Sequence, residues 1–216
     1  MKAFKSREQL DTFLTEQLVW RRKELHDLKT LVRNKKESTE VRPLIKGGVV
    51  LAYSHWEGYV KETSEAYISY VSFCEPKKNE IASNFLALYI IDKVRKSKEL
   101  SECVEDIISL INIPDGKCPI PKAKDIINSE SNLKSEVLEK IMNQIGLDFS
   151  FYATKRNFLD QSVLKLRNAI AHGEQKILEI DKYIEIADFV IELMEHYKTL
   201  LQDAIDKKMY LRKKSS

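Results

Sequence analysis

Gln161-Ser162-Val163-Leu164-Lys165-Leu166-Arg167-Asn168-Ala169-Ile170-Ala171-His172-Gly173-Glu174 is the stretch on which the reading of this chain turns. Val163, Leu166 and Ile170 recur at steps of three and four, the spacing that gathers them on one buried face of an α-helix. Gly173 follows as the residue best suited to the left-handed position that closes a helix. The pattern predicts a helix from about Lys155 to His172, with Arg167 and His172 off the buried stripe and able to face a cleft. Five residues apart on an ideal helix is roughly 140° of rotation and about 7.5 Å of rise, a gap that a long Arg side chain can span.

The same periodicity extends on both sides. Toward the C-terminus, Ile184, Ala187, Val190, Ile191, Met194 and Leu201 mark the inner face of a helix from about Asp181 to Lys207. Toward the N-terminus, Leu10, Phe13, Leu14, Leu18, Leu25, Leu28 and Val32 predict a long amphipathic helix from Ser6 to about Lys35. A second begins near Pro43 and runs through Ile45, Val49, Val50, Tyr53, Trp56 and Val60 to Val71; Trp56 and Tyr59 are expected in the core. Its Gly47-Gly48 pair lowers helix propensity and points to a close backbone approach. Between these long helices, Ala82 to Val94, Ser101 to Leu110 and Leu133 to Ile145 read as shorter ones, the last ending at Gly146. Ile113 to Pro121 holds three of the five prolines, and there the helical pattern fails.

These elements predict an all-α protein with a four-helix up-and-down bundle core and additional helices inserted in the middle of the chain. The 216 residues suit one domain, 1–216, in which about 75–150 is an elaborating insertion. Six Gly and five Pro leave little material for linkers, and 43% hydrophobic with 32% charged residues describes a soluble globular chain.

Charge and cysteine content narrow the function classes. A net charge of +3 does not by itself call for a nucleic-acid partner, so any anion site must be local. Cys74, Cys103 and Cys118 are odd in number and lack a C-x-x-C pattern, which argues against a disulfide framework and a structural zinc site. No metal and no cofactor is expected. Met1 to Lys5 runs into charged residues without an apolar region of the signal-peptide kind, and the apolar windows Val49–Tyr53 and Phe85–Ile91 are far shorter than the ~20 residues that span a bilayer. The expectation is a cytoplasmic protein with no membrane partner. His26 and His196 stand alone on amphipathic helices and receive no role. The basic clusters Arg21-Arg22-Lys23, Lys35-Lys36, Lys77-Lys78, Lys207-Lys208 and Arg212-Lys213-Lys214 could touch phosphates, although solvated faces and a frayed terminus from Lys207 to Ser216 account for them as well.

Chemistry concentrates in the 161–174 stretch. An imidazole of unperturbed pKa near ~6.5 can take a proton from a ribose 2′-hydroxyl or give one to a leaving 5′-oxygen. A guanidinium, always charged and forked, can hold the phosphate and stabilise charge that develops on its oxygens. His172 and Arg167 are therefore the candidate catalytic pair, with Asn168 orienting the imidazole or touching the phosphate. A His at a helix C-terminus can also serve only to complement the helix dipole. His55 and Glu57 are secondary candidates for the cleft lining; two residues apart on a helix, they point about 200° from each other and cannot form a pair.

Arg167-Asn168, three residues and then His172 resembles the signature of the HEPN superfamily, an Arg followed at four to six residues by a His, with a polar residue after the Arg. Leu51-Ala52-Tyr53-Ser54-His55-Trp56-Glu57-Gly58-Tyr59-Val60-Lys61-Glu62 resembles the first bundle helix of the MAE-type branch of HEPN-like nucleases. The resemblance covers most of the chain and is weakest from Glu75 to Asp148. It implies a homodimer whose two Arg and His motifs line one composite cleft, cleaving RNA without metal and leaving cyclic phosphate ends. It further implies a toxin or antiviral-defence effector restrained by an antitoxin or another defence-system partner. The alternative is a non-catalytic HEPN module that binds nucleotide, RNA or a protein in a defence complex.

Overall fold

A computed structural model describes residues 4–97, 99–112, 116–129 and 132–213, apart from the side chains of 100, 102, 103, 106, 109 and 110. Residues 1–3, the 113–115 part of the proline-rich loop, the Cys103 side chain and Lys214 of the terminal basic cluster lie outside that description. The described residues are helical with no strand; the helices are α1 (Arg7–Asn34), α2 (Val41–Phe73), α3 (Ser83–Lys96), α4 (Leu100–Asn112), α5 (Ala123–Ile126), α6 (Ser135–Ile145), α7 (Ser150–Ala153), α8 (Lys165–Ala171) and α9 (Ile180–Asp206). A π-helical segment, Phe158–Leu164, leads directly into α8.

The long helices form the expected bundle. Ser6 caps α1, its hydroxyl accepting from the Gln9 N–H. His55 Nε2 lies 2.8 Å from Glu24 Oε2 and the Tyr59 hydroxyl donates to the Leu14 carbonyl (3.3 Å), so α1 and α2 run antiparallel. Arg7 with Asp206 and Arg22 with Glu195 place α9 antiparallel to α1 as well. Ser64 with Tyr197 then joins α2 to α9 in parallel (2.6 Å). The fourth column is the π segment with α8, packed on α2 and antiparallel to α9 through Lys155 with Glu192 and the Phe158–Phe189 ring contact. Trp56 and Tyr59 are fully buried, as their place in the periodicity predicts; they pack with Tyr152 and Tyr197 in an aromatic centre. Four such rings bury a large apolar area, which is the dominant favourable term in folding.

Sequence and structure part company in three places. The helix expected from Lys155 to His172 is not continuous: residues 158–164 wind as a π-helix, shown by the Lys165 N–H bonding five residues back to Asp160. The buried positions shift accordingly to Leu159, Val163, Leu164 and Ala169, while Leu166 and Ile170 are only half buried against the core. Single turns, α5 and α7, occupy stretches between the expected helices where no helix was predicted. The described part of the C-terminal tail is also tied down. The Arg212 N–H donates to the Glu80 carbonyl (2.7 Å), the Arg212 Nε–H to that of Ile81 (2.9 Å), and the Ala82 N–H to that of Tyr210 (2.8 Å). Those bonds fasten the start of α3 to the end of the bundle, and paired backbone of this kind resists fraying.

Candidate functional site

Local backbone chemistry builds the end of α8. Its last turn closes in a Schellman arrangement: the Gly173 N–H reaches the Ile170 carbonyl (3.0 Å) and the Glu174 N–H reaches that of Ala169 (2.9 Å). Gly173 takes φ 77°, which a residue with a Cβ adopts only at a cost. His172 is the half-helical residue of this cap, its own N–H bonded to the Asn168 carbonyl (2.9 Å). The imidazole itself is exposed and has no hydrogen bond or ion pair among the described residues. The backbone is therefore fixed while the ring remains free for an incoming group.

His172 and Asn168 line a surface cleft of about 590 Å³ with Gln161, Leu164, Lys165 and Lys176. Glu174 and Lys176 pair at its rim (3.0 Å), and Asp160 at its far end is engaged elsewhere, accepting from the Ser135 N–H (2.8 Å) and hydroxyl (2.6 Å) to cap α6. Asp160 sits within the π segment, and π turns are frequent at functional sites.

Arg167 points elsewhere. Its guanidinium carbon lies 4.5 Å from the centroid of the Tyr53 ring on α2, and Nη1 donates to Asn168 Oδ1 (2.8 Å). Nε is buried without a partner among the described residues, while Nη2 carries neither restraint. Asn168 is thus the hinge of the motif, bonded to Arg167 through its side chain and to His172 through its carbonyl, and lining the cleft. The structure brings Asn168 and His172 to one opening and holds Arg167 on the adjoining face of α8.

The two secondary candidates separate as their spacing requires. His55 is buried toward α1, with Nε2 2.8 Å from Glu24 Oε2 and its ring edge-on to Trp20. Glu57 faces the other way, beside Tyr53, where burial first and then this carboxylate raise the phenol's pKa far above its ordinary value; Arg167 opposes the shift. Of the pair, Glu57 belongs to the Arg167 neighbourhood and His55 to the α1 contact. Tyr53 was readable in the sequence only as a core position; its aromatic face toward Arg167 is the feature of the candidate site that periodicity alone did not single out.

Burial lowers the pKa of His55 below its ordinary value of 6.5 despite the opposing pull of Glu24. Burial does the same to His196, stacked 3.7 Å from Phe151, against Asp148 and Glu192. Both imidazoles take up a proton more readily in the unfolded chain. Stability therefore increases as pH rises through the interval ending near 6.5 and is lost as pH falls below it. The expected result is a lower unfolding midpoint at about pH 5.5 than at about pH 7.5, with a smaller difference in His196→Gln; equal differences in the two proteins would contradict this assignment.

Among the described residues no group of three His, Cys, Asp or Glu side chains stands close enough to hold a metal ion, and no helix is long and apolar enough to cross a membrane. Cys74 and Cys118 are free thiols.

An all-helical bundle with an Arg-Asn and His motif at the end of α8, its penultimate long helical column in chain order, is the arrangement that the HEPN resemblance implies, and the chain is a member of that superfamily. It belongs to the RiboL-PSP-HEPN family, whose model matches residues 16–203 and so runs through the middle helices where the sequence resemblance is weakest. That match does not name the MAE-type branch. No curated protein and no solved structure matches the chain. Family membership suggests a nuclease or RNA-related function.

Proposed function

We propose that this protein is a metal-independent endoribonuclease, cleaving RNA by transesterification with His172 as the proton-transfer group, Arg167 as the phosphate clamp and Asn168 as the residue that couples them. The observation that carries this reading is the end of α8. An exposed imidazole is fixed by its backbone at a cleft, one helical turn from an amide that is itself bonded to a guanidinium. An imidazole near neutral pH suits removal of the 2′-hydroxyl proton, and a guanidinium suits the charge that develops on the phosphate.

Arg167 and His172 leave α8 on different faces, which supports a homodimer in which the Arg of one protomer and the His of the other meet across a composite site. A cytoplasmic toxin or antiviral effector restrained by an antitoxin or another defence protein is the setting we infer from the family resemblance. The single domain 1–216, with 75–150 as an elaboration of the bundle, belongs to the same reading.

A second reading, a HEPN module that binds RNA, nucleotide or protein without cutting, is favoured by one observation: the Arg167 guanidinium is half buried and already engaged by Tyr53 and Asn168. The two readings diverge in one assay. Purified protein is incubated with end-labelled mixed RNA in EDTA, and the fragments and their ends are resolved. The nuclease reading expects cleavage leaving 2′,3′-cyclic phosphates. Bound but intact RNA would support the binding module, and cleavage that EDTA abolishes would replace the mechanism by a metal-dependent one.

A further inference from the structure

We propose that Tyr53 is the positioning residue of Arg167: its ring is a shelf that fixes the guanidinium across the contact between α2 and α8, leaving the Nη2 edge to meet a phosphate. This rests on the nuclease reading only in taking that phosphate to be one in RNA.

Three observations carry it. The guanidinium carbon stands 4.5 Å from the ring centroid, inside the range of a cation over the negative face of an aromatic ring. Tyr53 is fully buried, and such attraction is stronger where water is excluded. The guanidinium nitrogens are unequally satisfied. Nη1 is bonded to Asn168 and Nε is buried with no polar partner among the described residues, so the ring supplies what compensates that buried nitrogen. A charge-bearing donor buried without compensation costs more than an ordinary unmet hydrogen bond, and such a side chain would otherwise turn outward. The shelf itself is held still: the Tyr53 hydroxyl accepts from the Leu133 N–H, ahead of α6, and the Glu57 carboxylate beside it adds negative charge near the cation. Leu133 lies in the region between α2 and α8, so that region contributes to the placement of Arg167 through Tyr53.

A guanidinium held in one orientation loses less rotational freedom when it grips a phosphate than one free in solvent, and the saving appears as affinity. A 2′-fluoro RNA oligonucleotide cannot undergo attack by a 2′-hydroxyl and so reports binding alone. Its affinity for the full chain would be measured by fluorescence anisotropy for wild type, Tyr53→Phe, Tyr53→Leu, Arg167→Ala and the Tyr53→Leu/Arg167→Ala double variant. Tyr53→Leu, which removes the ring, is expected to weaken binding about tenfold, while Tyr53→Phe, which keeps the ring and loses only the hydroxyl's bond to Leu133, is expected to weaken it no more than about twofold. In the Arg167→Ala background, Tyr53→Leu is expected to have no further effect.

Equal losses in Tyr53→Phe and Tyr53→Leu, a Tyr53→Leu loss that persists without Arg167, or an Arg167→Ala protein that binds as wild type would each overturn the proposal. Should Tyr53→Leu fail to fold, the wild-type protein decides: the Arg167 Nε–H is expected to be shifted by the ring current and slow to exchange in a ¹⁵N spectrum. A resonance at the solvent-exposed position would overturn the shelf. An intact coupling between Tyr53 and Arg167 in a protein that leaves natural RNA uncut would count against the nuclease reading alone. Vigorous cleavage with no such coupling would count against this proposal alone.

Discussion

His172→Ala is expected to reduce RNA cleavage by about 10²–10⁴-fold, the range associated with removing a positioned general acid or base. The same change should leave the unfolding midpoint nearly untouched. The His172 ring is exposed and makes no bond among the described residues, and the backbone N–H that closes α8 on Asn168 is present in alanine as well. The Schellman bonds are made by Gly173 and Glu174, which the substitution does not alter. What alanine removes from the fold is at most the favourable placement of an exposed imidazole at a helix C-terminus, a small contribution where solvent screens it. Measured together, cleavage rate and midpoint separate two roles for this residue. Lost cleavage at constant midpoint is the catalytic result. Parallel loss of both would make His172 a helix-terminating residue, and unchanged cleavage would remove it from the mechanism.

The parts of this molecule that were legible in its sequence are those written in local periodicity. Leu10, Leu14, Leu18 and Leu25 define the buried face of α1, and Ala187, Val190, Met194 and Leu201 that of α9, with the expected Ile184 and Ile191 only half buried at its edge, because one helix face must stay out of water wherever the helix packs. Gly146 and Gly173 were readable as helix ends, and both adopt φ 77°. The Arg167, Asn168 and His172 motif was readable as a candidate because its residue types and its helix end are local facts.

Where Arg167 points was not legible. It depends on Tyr53, a residue far away in the sequence whose aromatic ring looks like any other core position in a helical pattern. Nor was the π segment, since inserting a residue into a turn changes which side chains are buried without a compositional mark: Leu164 went in and Leu166 came half out. The Arg212 anchor on Ile81 and the Asp160 cap on Ser135 are long-range polar bonds of the same kind. Periodicity reports which face is apolar, and a single polar side chain can satisfy its hydrogen bonds in many places.

Gly47 and Gly48 allow that logic to be tested on packing, because adjacent glycines in one helix are expected to respond with opposite signs to the same substitution. A Cβ on Gly47 meets nothing within 4 Å, so Gly47→Ala should gain the propensity difference between alanine and glycine in a helix interior, about 1 kcal/mol. A Cβ on Gly48 would sit 2.5 Å from Cε2 and 2.7 Å from Cζ of Tyr183 on α9. Tyr183 is fully buried between the helices, and its ring cannot move aside without pushing on the core. Overpacking of this kind costs typically 1–3 kcal/mol, and a contact this short with ring atoms belongs at the upper end. After the same propensity gain is credited, Gly48→Ala should destabilise by about 2 kcal/mol, lowering the midpoint by about 4–8 °C, while Gly47→Ala raises it by about 2–4 °C. A second substitution identifies the cause: in Tyr183→Leu, which clears the ring, Gly48→Ala should become neutral or stabilising. A Gly48→Ala loss that persists in that background would show that α2 and α9 are held apart by something other than this ring.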